Sequence, residues 1–303
     1  MSTRLFFIVG IGRSGTTLLR LMLHHHPRIA IPYESGFLTA YYEKRATYGD
    51  LRDDANCRRL VGDLLEEPTL KMWDHAFDVD RVVANASERS VPGIASCIYS
   101  EYAAAKGKAR CGDKSDYLDR MHVLHEMFPT SQFIHIIRDG RDVAQSVLKL
   151  PWGPDDIVRA AEWWNEHVWV ARRVGTVLGP SRYLEVRYEH LVENSERELR
   201  RCCEFLGEEY SPEMLTYPQS SDRAIPSERR GQHYNFNKPP DASRVGAWKR
   251  EMNPYDVAIF NKHARRMLLE LGYELSDAPV NRAALGLRYL TILGRRLQSR
   301  TTT

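Results

Sequence analysis

The stretch FFIVGIGRSGTTLLRLMLHHHP, residues 6–27, carries three structural signals in succession. Residues 4–10 are almost entirely apolar and predict a buried strand. A glycine-rich loop follows. Apolar residues at helical spacing then predict a helix that begins at Ser14 or Thr16 and ends at His25. Strand, glycine loop and helix in this order form the context in which phosphate-binding loops occur.

Strand signals return at four places farther along the chain, and helical segments separate them. The predicted strands are 28–32, 109–112, 132–137 and 182–187, and the predicted helices are 116–127, 142–149, 156–174, 195–206 and 254–271. Alternating strands and helices imply a parallel sheet that is covered on both faces. We therefore predict an α/β, P-loop-like three-layer fold with a central parallel sheet flanked by helices.

One domain is predicted over residues 1–277. Residues 36–108 are mainly helical in pattern, and we interpret them as an insertion that shapes an acceptor pocket or lid. Residues 217–244 are rich in Pro, Ser, Asn and Arg, which predicts a long active-site loop. Residues 278–303 carry five arginines and no acid. This basic C-terminal segment either packs on the protein body, which we favour, or contacts an anionic membrane.

The composition excludes several classes of protein. Hydrophobic residues make up 43% and charged residues 27% of the 303 positions, which argues against disorder. The net charge of +3 is too small to indicate a nucleic-acid partner. The five cysteines form no CxxC pair, and the apolar run at 5–9 is too short for a signal-peptide core. We therefore expect a reducing, cytoplasmic setting.

The loop Gly10-Ile-Gly-Arg-Ser-Gly-Thr-Thr17 has the GxxxxG spacing of a phosphate-binding loop. Amides of such a loop and of the helix start converge on one point, and the helix dipole adds about 0.3–1 kcal/mol per charge. The candidate anion-binding residues are Arg13, Ser14, Gly15, Thr16 and Thr17. A glycine turn without a ligand is the alternative.

The cation of this loop differs from that of a nucleoside-triphosphate loop. Thr16 stands where a Walker A loop carries its lysine, and the cation is Arg13. In a Walker A loop the lysine contacts the β- and γ-phosphates and the following hydroxyl binds magnesium. The missing lysine therefore indicates a donor other than magnesium-ATP, bound through charge-assisted hydrogen bonds of about 1.5–3 kcal/mol each.

The motif Gly10-x-x-Arg-Ser-Gly-Thr-Thr-Leu-Leu19, followed by His26-Pro27 and Glu34, resembles the phosphosulfate loop of sulfotransferases. These enzymes use 3′-phosphoadenosine 5′-phosphosulfate (PAPS) as sulfuryl donor. The motif is most similar to that of tyrosylprotein sulfotransferases and their bacterial relatives. The resemblance covers residues 5–275 and implies that the loop holds the phosphosulfate end of PAPS.

A second motif, FIHIIRDGRDVAQSVL, places Arg138 at the carboxyl end of a strand and Ser146 in the early turns of the next helix. In the resembled family this pair holds the 3′-phosphate of the donor. Ligands of open parallel sheets bind outside the carboxyl ends of the strands, so Arg138 should share a rim with the glycine loop. A surface ion pair of Arg138 with Asp139 or Asp142 is the alternative.

Three further segments resemble the family. CGDKSDY places Lys114 just after a strand end, where the family directs a lysine at the sulfuryl group. The segment that begins YLEVRYEHL supplies Tyr188 as an adenine or phosphate contact. SRVGAWKREM, residues 243–252, nominates Ser243 and Arg244 as late nucleotide contacts.

Glu34 is the candidate general base for an acceptor hydroxyl. A short strand after the first helix returns the chain to the rim of the sheet, and the resembled family has its catalytic glutamate at this offset. Arg13 and Lys114 would stabilise the leaving phosphate oxygen of an in-line displacement. The alternative for Glu34 is an acid at a helix N-terminus, because Ser35 and Gly36 precede a plausible helix.

The sequence thus predicts a PAPS-dependent sulfotransferase that needs no metal and acts on a hydroxyl of a small molecule, glycan, lipid or tyrosyl peptide. A P-loop-type nucleotide kinase would require the missing lysine, and a non-catalytic nucleotide-binding module would leave Glu34 and Lys114 unused. Metal binding by the three histidines 24–26 is disfavoured, because adjacent histidines point in different directions and no ligand set lies nearby. The sequence carries no signal for the oligomeric state.

Overall fold

The computed structural model describes residues 4–219, 225–226, 237–276 and 280–300. The chain forms two compact units, Met1–Ile137 with Val170–Asp241, and Arg138–Trp169 with Ala242–Thr303. Most of the predicted loop 217–244 lies outside the described residues. Its two ends are 3₁₀ helices, Pro212–Gln219 and Ala242–Arg244.

The first unit contains a five-stranded sheet with the strand order β2-β3-β1-β4-β5. The strands are β1 (Phe6–Val9), β2 (Ile29–Ala30), β3 (Arg110–Lys114), β4 (Gln132–Ile137) and β5 (Tyr183–Arg187). All four strand pairs are parallel. The predicted α/β fold with a central parallel sheet flanked by helices is confirmed.

Helices connect the strands and continue after the sheet. They are α1 (Thr16–His24), α2 (Leu38–Glu43), α3 (Asp54–Leu65), α4 (Pro68–Lys71), α5 (Val79–Asn85), α6 (Val91–Ala105), α7 (Met121–Met127), α8 (Gly140–Val147), α9 (Ile157–Leu178), α10 (Tyr188–Glu193), α11 (Ser195–Leu206), α12 (Trp248–Glu251), α13 (Pro254–Glu270) and α14 (Arg282–Arg300). Helices α2–α6 lie within the segment 36–108.

Strands β1 and β4 form the centre of the core, because their mostly apolar side chains are buried on both faces. All of β1 is buried, and the rings of Phe7 and Phe133 stack with centroids 5.4 Å apart. Each such ring contributes about 1.5–3 kcal/mol by leaving water. Strand β3 is different, since Arg110, Asp113 and Lys114 are buried polar residues in it. It runs two residues beyond the predicted end, so Lys114 is its last residue.

The second unit is helical and includes the C-terminal segment. Helix α14 makes a bidentate ion pair from Arg288 to Asp256 of α13, at 2.9 and 2.8 Å, and buries Ile292. Leu287 and Leu290 on the same helix are 66% and 65% exposed. The segment therefore packs on α13 as favoured, and membrane contact stays an untested alternative. Within the described ranges, no helix has the length and apolar character required to cross a bilayer.

Candidate active site

The glycine loop after β1 has a backbone that depends on two glycines. Gly15 has a φ of +92° and Arg13 a φ of +71°, a region that costs a residue other than glycine about 1–3 kcal/mol and is common at ligand sites. A Cβ atom at Gly10 would lie 2.7 Å from the carbonyl oxygen of Ile136, and one at Gly15 would lie 2.4 Å from Cδ2 of Tyr188. The motif glycines therefore serve both turn geometry and close packing.

Polar groups of the same loop fit a bound anion. Ser14 is fully buried, and its Oγ has no hydrogen-bond partner among the described residues. Helix α1 begins with no side-chain cap and no acidic residue in its first turn, so its first amides are left for another acceptor. Arg13 is exposed, Thr16 is buried and Thr17 is half-buried. The loop thus fits a bound anion, and the role of each residue stays a prediction.

The predicted base and the predicted lysine form a direct ion pair, in which Lys114 Nζ donates to Glu34 Oε1. The Lys114 side chain is 11% exposed and that of Glu34 is 38% exposed. Lys114 is paired in register with Ile8 of β1, so it lies one strand from the start of the glycine loop. Helix α2 begins only at Leu38 and has no acid in its first turn. The alternative that Glu34 is a helix N-terminal acid is therefore wrong.

Helix α1 holds the segment that leads to Glu34. Arg20, which is 2% exposed, donates from Nε to the carbonyl oxygen of Pro32 at 2.9 Å and from Nη2 to that of Ile31 at 3.2 Å. The amide of Ile31 donates to His24 Nδ1 at 3.0 Å. Burial lowers the pKa of His24 well below its usual range, which keeps this nitrogen unprotonated and able to accept.

The chain neighbours of Glu34 and Lys114 are also bonded to each other. Ser35 Oγ donates to Asp113 Oδ2 at 2.5 Å, and both residues are 1% exposed. Burial raises the pKa of Asp113, while hydrogen bonds from hydroxyl groups act in the opposite direction. The ion pair therefore adjoins a buried polar network.

Tyr188 is the first residue of α10, and it is 8% exposed. Its ring packs on the glycine loop, because Cδ2 is the atom nearest to the position that a Cβ of Gly15 would take. The structure thus places Tyr188 at the predicted loop, where it restricts residue 15 to glycine. A contact of Tyr188 with adenine or phosphate stays a prediction.

In the second unit, Arg138 follows β4 in the chain and lies beside a second predicted residue. Its Nη2 donates to the carbonyl oxygen of Arg244 at 2.8 Å and lies 3.7 Å from Asp142 Oδ2. Trp164 Nε1 fixes its backbone by donating to the Arg138 oxygen at 3.1 Å. Ser243 and Arg244 are exposed. The structure brings Arg138 and Arg244 together, and Asp142 gives Arg138 the carboxylate neighbour that the ion-pair alternative requires.

Ser146 was expected in the early turns of its helix, and this expectation is wrong. It is the seventh of eight residues in α8 and is half-buried. The start of α8 serves another purpose. Asp142 accepts bonds from the amides of Gly246 and Trp248 at 2.9 and 2.8 Å, and Trp248 Nε1 donates to Asp139 at 3.0 Å. These bonds hold the segment 243–252 on α8.

The three consecutive histidines bond to the backbone. His25 Nδ1 lies 2.8 Å from the Leu21 oxygen, and His26 Nε2 lies 2.7 Å from the Glu209 oxygen. His24 accepts from Ile31 as described above. Over the described part of the chain, no group of three or more His, Cys, Asp or Glu side chains is placed to hold a metal ion.

Comparison with known proteins identifies the family. The model of the sulfotransferase family matches residues 6–212, and this chain belongs to that family. The protein-tyrosine sulfotransferase A of Caenorhabditis elegans is 25% identical over 284 residues, which cover 91% of this chain and 68% of the relative. The nodulation protein NoeE of Sinorhizobium fredii is 28% identical over 297 residues, which cover 89% of this chain and 66% of the relative.

A solved structure shares the fold. The sulfotransferase domain of the Synechococcus PCC 7002 olefin synthase superposes with a TM-score of 0.63 at 23% identity, over 91% of this chain and 97% of that domain. The family model and the two relatives confirm the resemblance to tyrosylprotein sulfotransferases and their bacterial relatives that the loop motif predicted.

Sequence reasoning missed the residues that hold the candidate groups in place. These are Arg20 and His24 on α1, Ser35 and Asp113 beside the ion pair, and the α8 aspartates with Trp248. Ser35 and Asp113 could have been found from their positions, since they directly flank Glu34 and Lys114 in the sequence. Buried Arg20 gave no signal, because a lone arginine in an apolar helix pattern does not reveal its partner.

Proposed function

We propose that this protein transfers a sulfuryl group from PAPS to a hydroxyl acceptor, with Glu34 as the general base. The observation that carries the proposal is the direct ion pair between Glu34 and Lys114 at the end of β3, one strand from the glycine loop. Family membership supports sulfuryl transfer in general. The fit of the glycine loop to an anion supports a donor with a phosphosulfate group.

The reaction uses three side chains of the first unit. PAPS supplies an activated sulfuryl group when it is bound. Glu34 accepts the proton of the acceptor hydroxyl as the acceptor oxygen bonds to sulfur and the bond from sulfur to the bridging phosphate oxygen breaks. Lys114 and Arg13 neutralise the charge that develops on that oxygen. A base must be ionised to act, and Glu34 faces the ammonium group of Lys114 across the ion pair.

The remaining donor contacts follow from the family resemblance. Ser14, Gly15, Thr16 and Thr17 are proposed for the phosphosulfate end. The 3′-phosphate is proposed for Arg138 and Ser146, and the other nucleotide contacts for Tyr188, Ser243 and Arg244. A metal is not required in this scheme, because the sulfuryl group carries less charge than a phosphoryl group and protein cations meet the leaving oxygen.

The donor is tested by thermal unfolding in the presence of a chelator. We expect adenosine 3′,5′-bisphosphate, the product that remains after transfer, to raise the melting temperature. Magnesium-ATP without chelator is the comparison. Stabilisation by magnesium-ATP alone would support a nucleotide kinase and contradict the proposal.

The base is tested with Glu34→Gln against Glu43→Gln. Glu43 is a matched control, since it also forms an ion pair with a cation, Arg120, and belongs to none of the predicted motifs. Transfer from sulfur-labelled PAPS is measured with phenols, sugars, lipid alcohols and tyrosyl peptides, which also identifies the acceptor class. We expect Glu34→Gln to keep bisphosphate binding and to lose about 10²–10⁴ in turnover. Equal turnover in the two variants would remove Glu34 from this role.

A further inference from the structure

The carboxylate of Asp113 is the centre of a buried network of hydroxyl groups. Asp113 is 1% exposed. Its Oδ2 accepts from Ser35 Oγ and from Tyr99 OH, both at 2.5 Å, and its Oδ1 accepts from Ser115 Oγ at 2.9 Å. Three neutral donors on one carboxylate are the arrangement expected for a buried ionised acid.

The hydroxyl protons of the network run in one direction. Ser35 gives its proton to Asp113, so in the 3.0 Å contact between Ser35 Oγ and Tyr117 OH the tyrosine must donate. Tyr117 OH in turn accepts from the amide of Leu38 at 3.1 Å. The network thus offers three hydroxyl donors to an ionised Asp113.

The network also ties down the backbone on both sides of Ser35. Ser115 Oγ, whose proton goes to Asp113, accepts from the amide of Ser35 at 2.7 Å and from that of Gly36 at 3.2 Å. The carbonyl oxygen of Ser35 accepts from Thr69 Oγ1 at 2.5 Å. The peptide units that follow Glu34 are thus held by Thr69 and by Ser115, which adjoins Lys114 in sequence.

We propose that Asp113 is a positioning residue, which through Ser35 fixes the backbone that presents Glu34 to Lys114. The inference rests on the proposed function, in which Glu34 is the base. Glu34 and Ser35 are neighbours on one segment, and Lys114 and Asp113 are neighbours on the other. The bond from Ser35 to Asp113, together with the bonds from the Ser35 and Gly36 amides to Ser115, therefore sets the separation of Glu34 and Lys114. Displacing a reacting group by about 1 Å can cost about 10²-fold in rate.

Two substitutions separate positioning from stability. Ser35→Ala and Tyr99→Phe each remove one hydroxyl donor from the same oxygen of Asp113, and both residues are fully buried. Only Ser35 adjoins Glu34. Positioning predicts that Ser35→Ala lowers kcat about 10- to 100-fold with an unchanged KM for PAPS, whereas Tyr99→Phe keeps kcat near that of the parent. Both are expected to lower the melting temperature, since both leave Asp113 less satisfied.

Hydrogen exchange supplies a readout that does not require activity. The amides of Ser35, Gly36 and Leu38 are bonded to network hydroxyls. Mass spectrometry of peptides covering 34–38 should show faster exchange in Ser35→Ala than in Tyr99→Phe, at temperatures where both remain folded. Equal exchange, or an equal loss of kcat with p-nitrophenol as acceptor, would overturn the positioning role. If the parent transfers no sulfuryl group at all, the proposed function fails while the exchange result still decides this inference.

Discussion

Substitution of Gly15 by alanine tests whether the glycine loop is built as the structure shows. The backbone at Gly15 has a φ of +92°, and an added methyl group would lie 2.4 Å from Cδ2 and 2.9 Å from Cε2 of Tyr188. The left-handed backbone costs alanine about 1–2 kcal/mol. Overpacking against the buried ring costs about 1–3 kcal/mol more. We therefore expect Gly15→Ala to lower the free energy of unfolding by about 2–5 kcal/mol.

A double-mutant cycle separates the two costs. Tyr188→Leu removes the ring, so in the double variant the methyl group meets less resistance and only the backbone cost remains. Urea unfolding of the four proteins should give a total loss that is smaller than the sum of the single losses by about 1–3 kcal/mol. Thermal shift by adenosine 3′,5′-bisphosphate should disappear in Gly15→Ala. Additive losses within about 0.5 kcal/mol would refute the packing of Tyr188 on the loop.

Two further predictions concern stability. Burial lowers the pKa of His135 from 6.5 to about 3. Between these two values the unfolded state binds more protons than the folded state. The free energy of unfolding therefore falls as the pH drops through that window, by at most about 1.4 kcal/mol per pH unit. Urea titrations at several pH values should show that the free energy of unfolding of His135→Gln depends less on pH than that of the parent. An unchanged pH dependence would contradict the lowered pKa of His135. On α14, Ile292→Glu should destabilise the protein. Leu287→Glu and Leu290→Glu should not change its stability. They should also not change the amount of protein that stays in the supernatant after sedimentation with anionic liposomes. Liposome binding by the parent that these two leucine substitutions abolish would instead establish the membrane alternative.

The parts of the fold that were predicted from sequence share a local origin. Strands β1 and β4 are short apolar runs bounded by a glycine loop or a charged residue, and α1 follows from the spacing of its apolar residues. The end of β3 was not predicted because Asp113 and Lys114 are poor strand formers in isolation. Pairing with β1 keeps both residues in the strand, and each is satisfied by a partner about 80 positions away in the sequence.

In the candidate site, too, residues of local motifs were predicted from sequence and residues that depend on distant contacts were not. Arg13, Glu34 and Lys114 were predicted because each belongs to a short motif that a single sequence displays. The residues that support them were missed, because a buried hydrogen bond joins two distant segments and the sequence of one segment does not identify the other. Arg20 illustrates the limit, since its acceptors are the backbone oxygens of Ile31 and Pro32. No choice of side chain at those two positions would mark them as acceptors.

The environments of the two acids near Lys114 support the proposed assignment of proton transfer to Glu34 and not to Asp113. Asp113 is 1% exposed, and hydroxyl donors occupy both of its oxygens, so an acceptor molecule has no access to it. Glu34 has a side chain that is 38% exposed, which gives an incoming hydroxyl group a path to the carboxylate. Burial thus favours a structural role for Asp113 and the proposed chemical role for Glu34. Asp113→Asn should therefore change where Glu34 is placed but leave Glu34 as the proton acceptor. No substitution at Glu34 should make Asp113 take over that role.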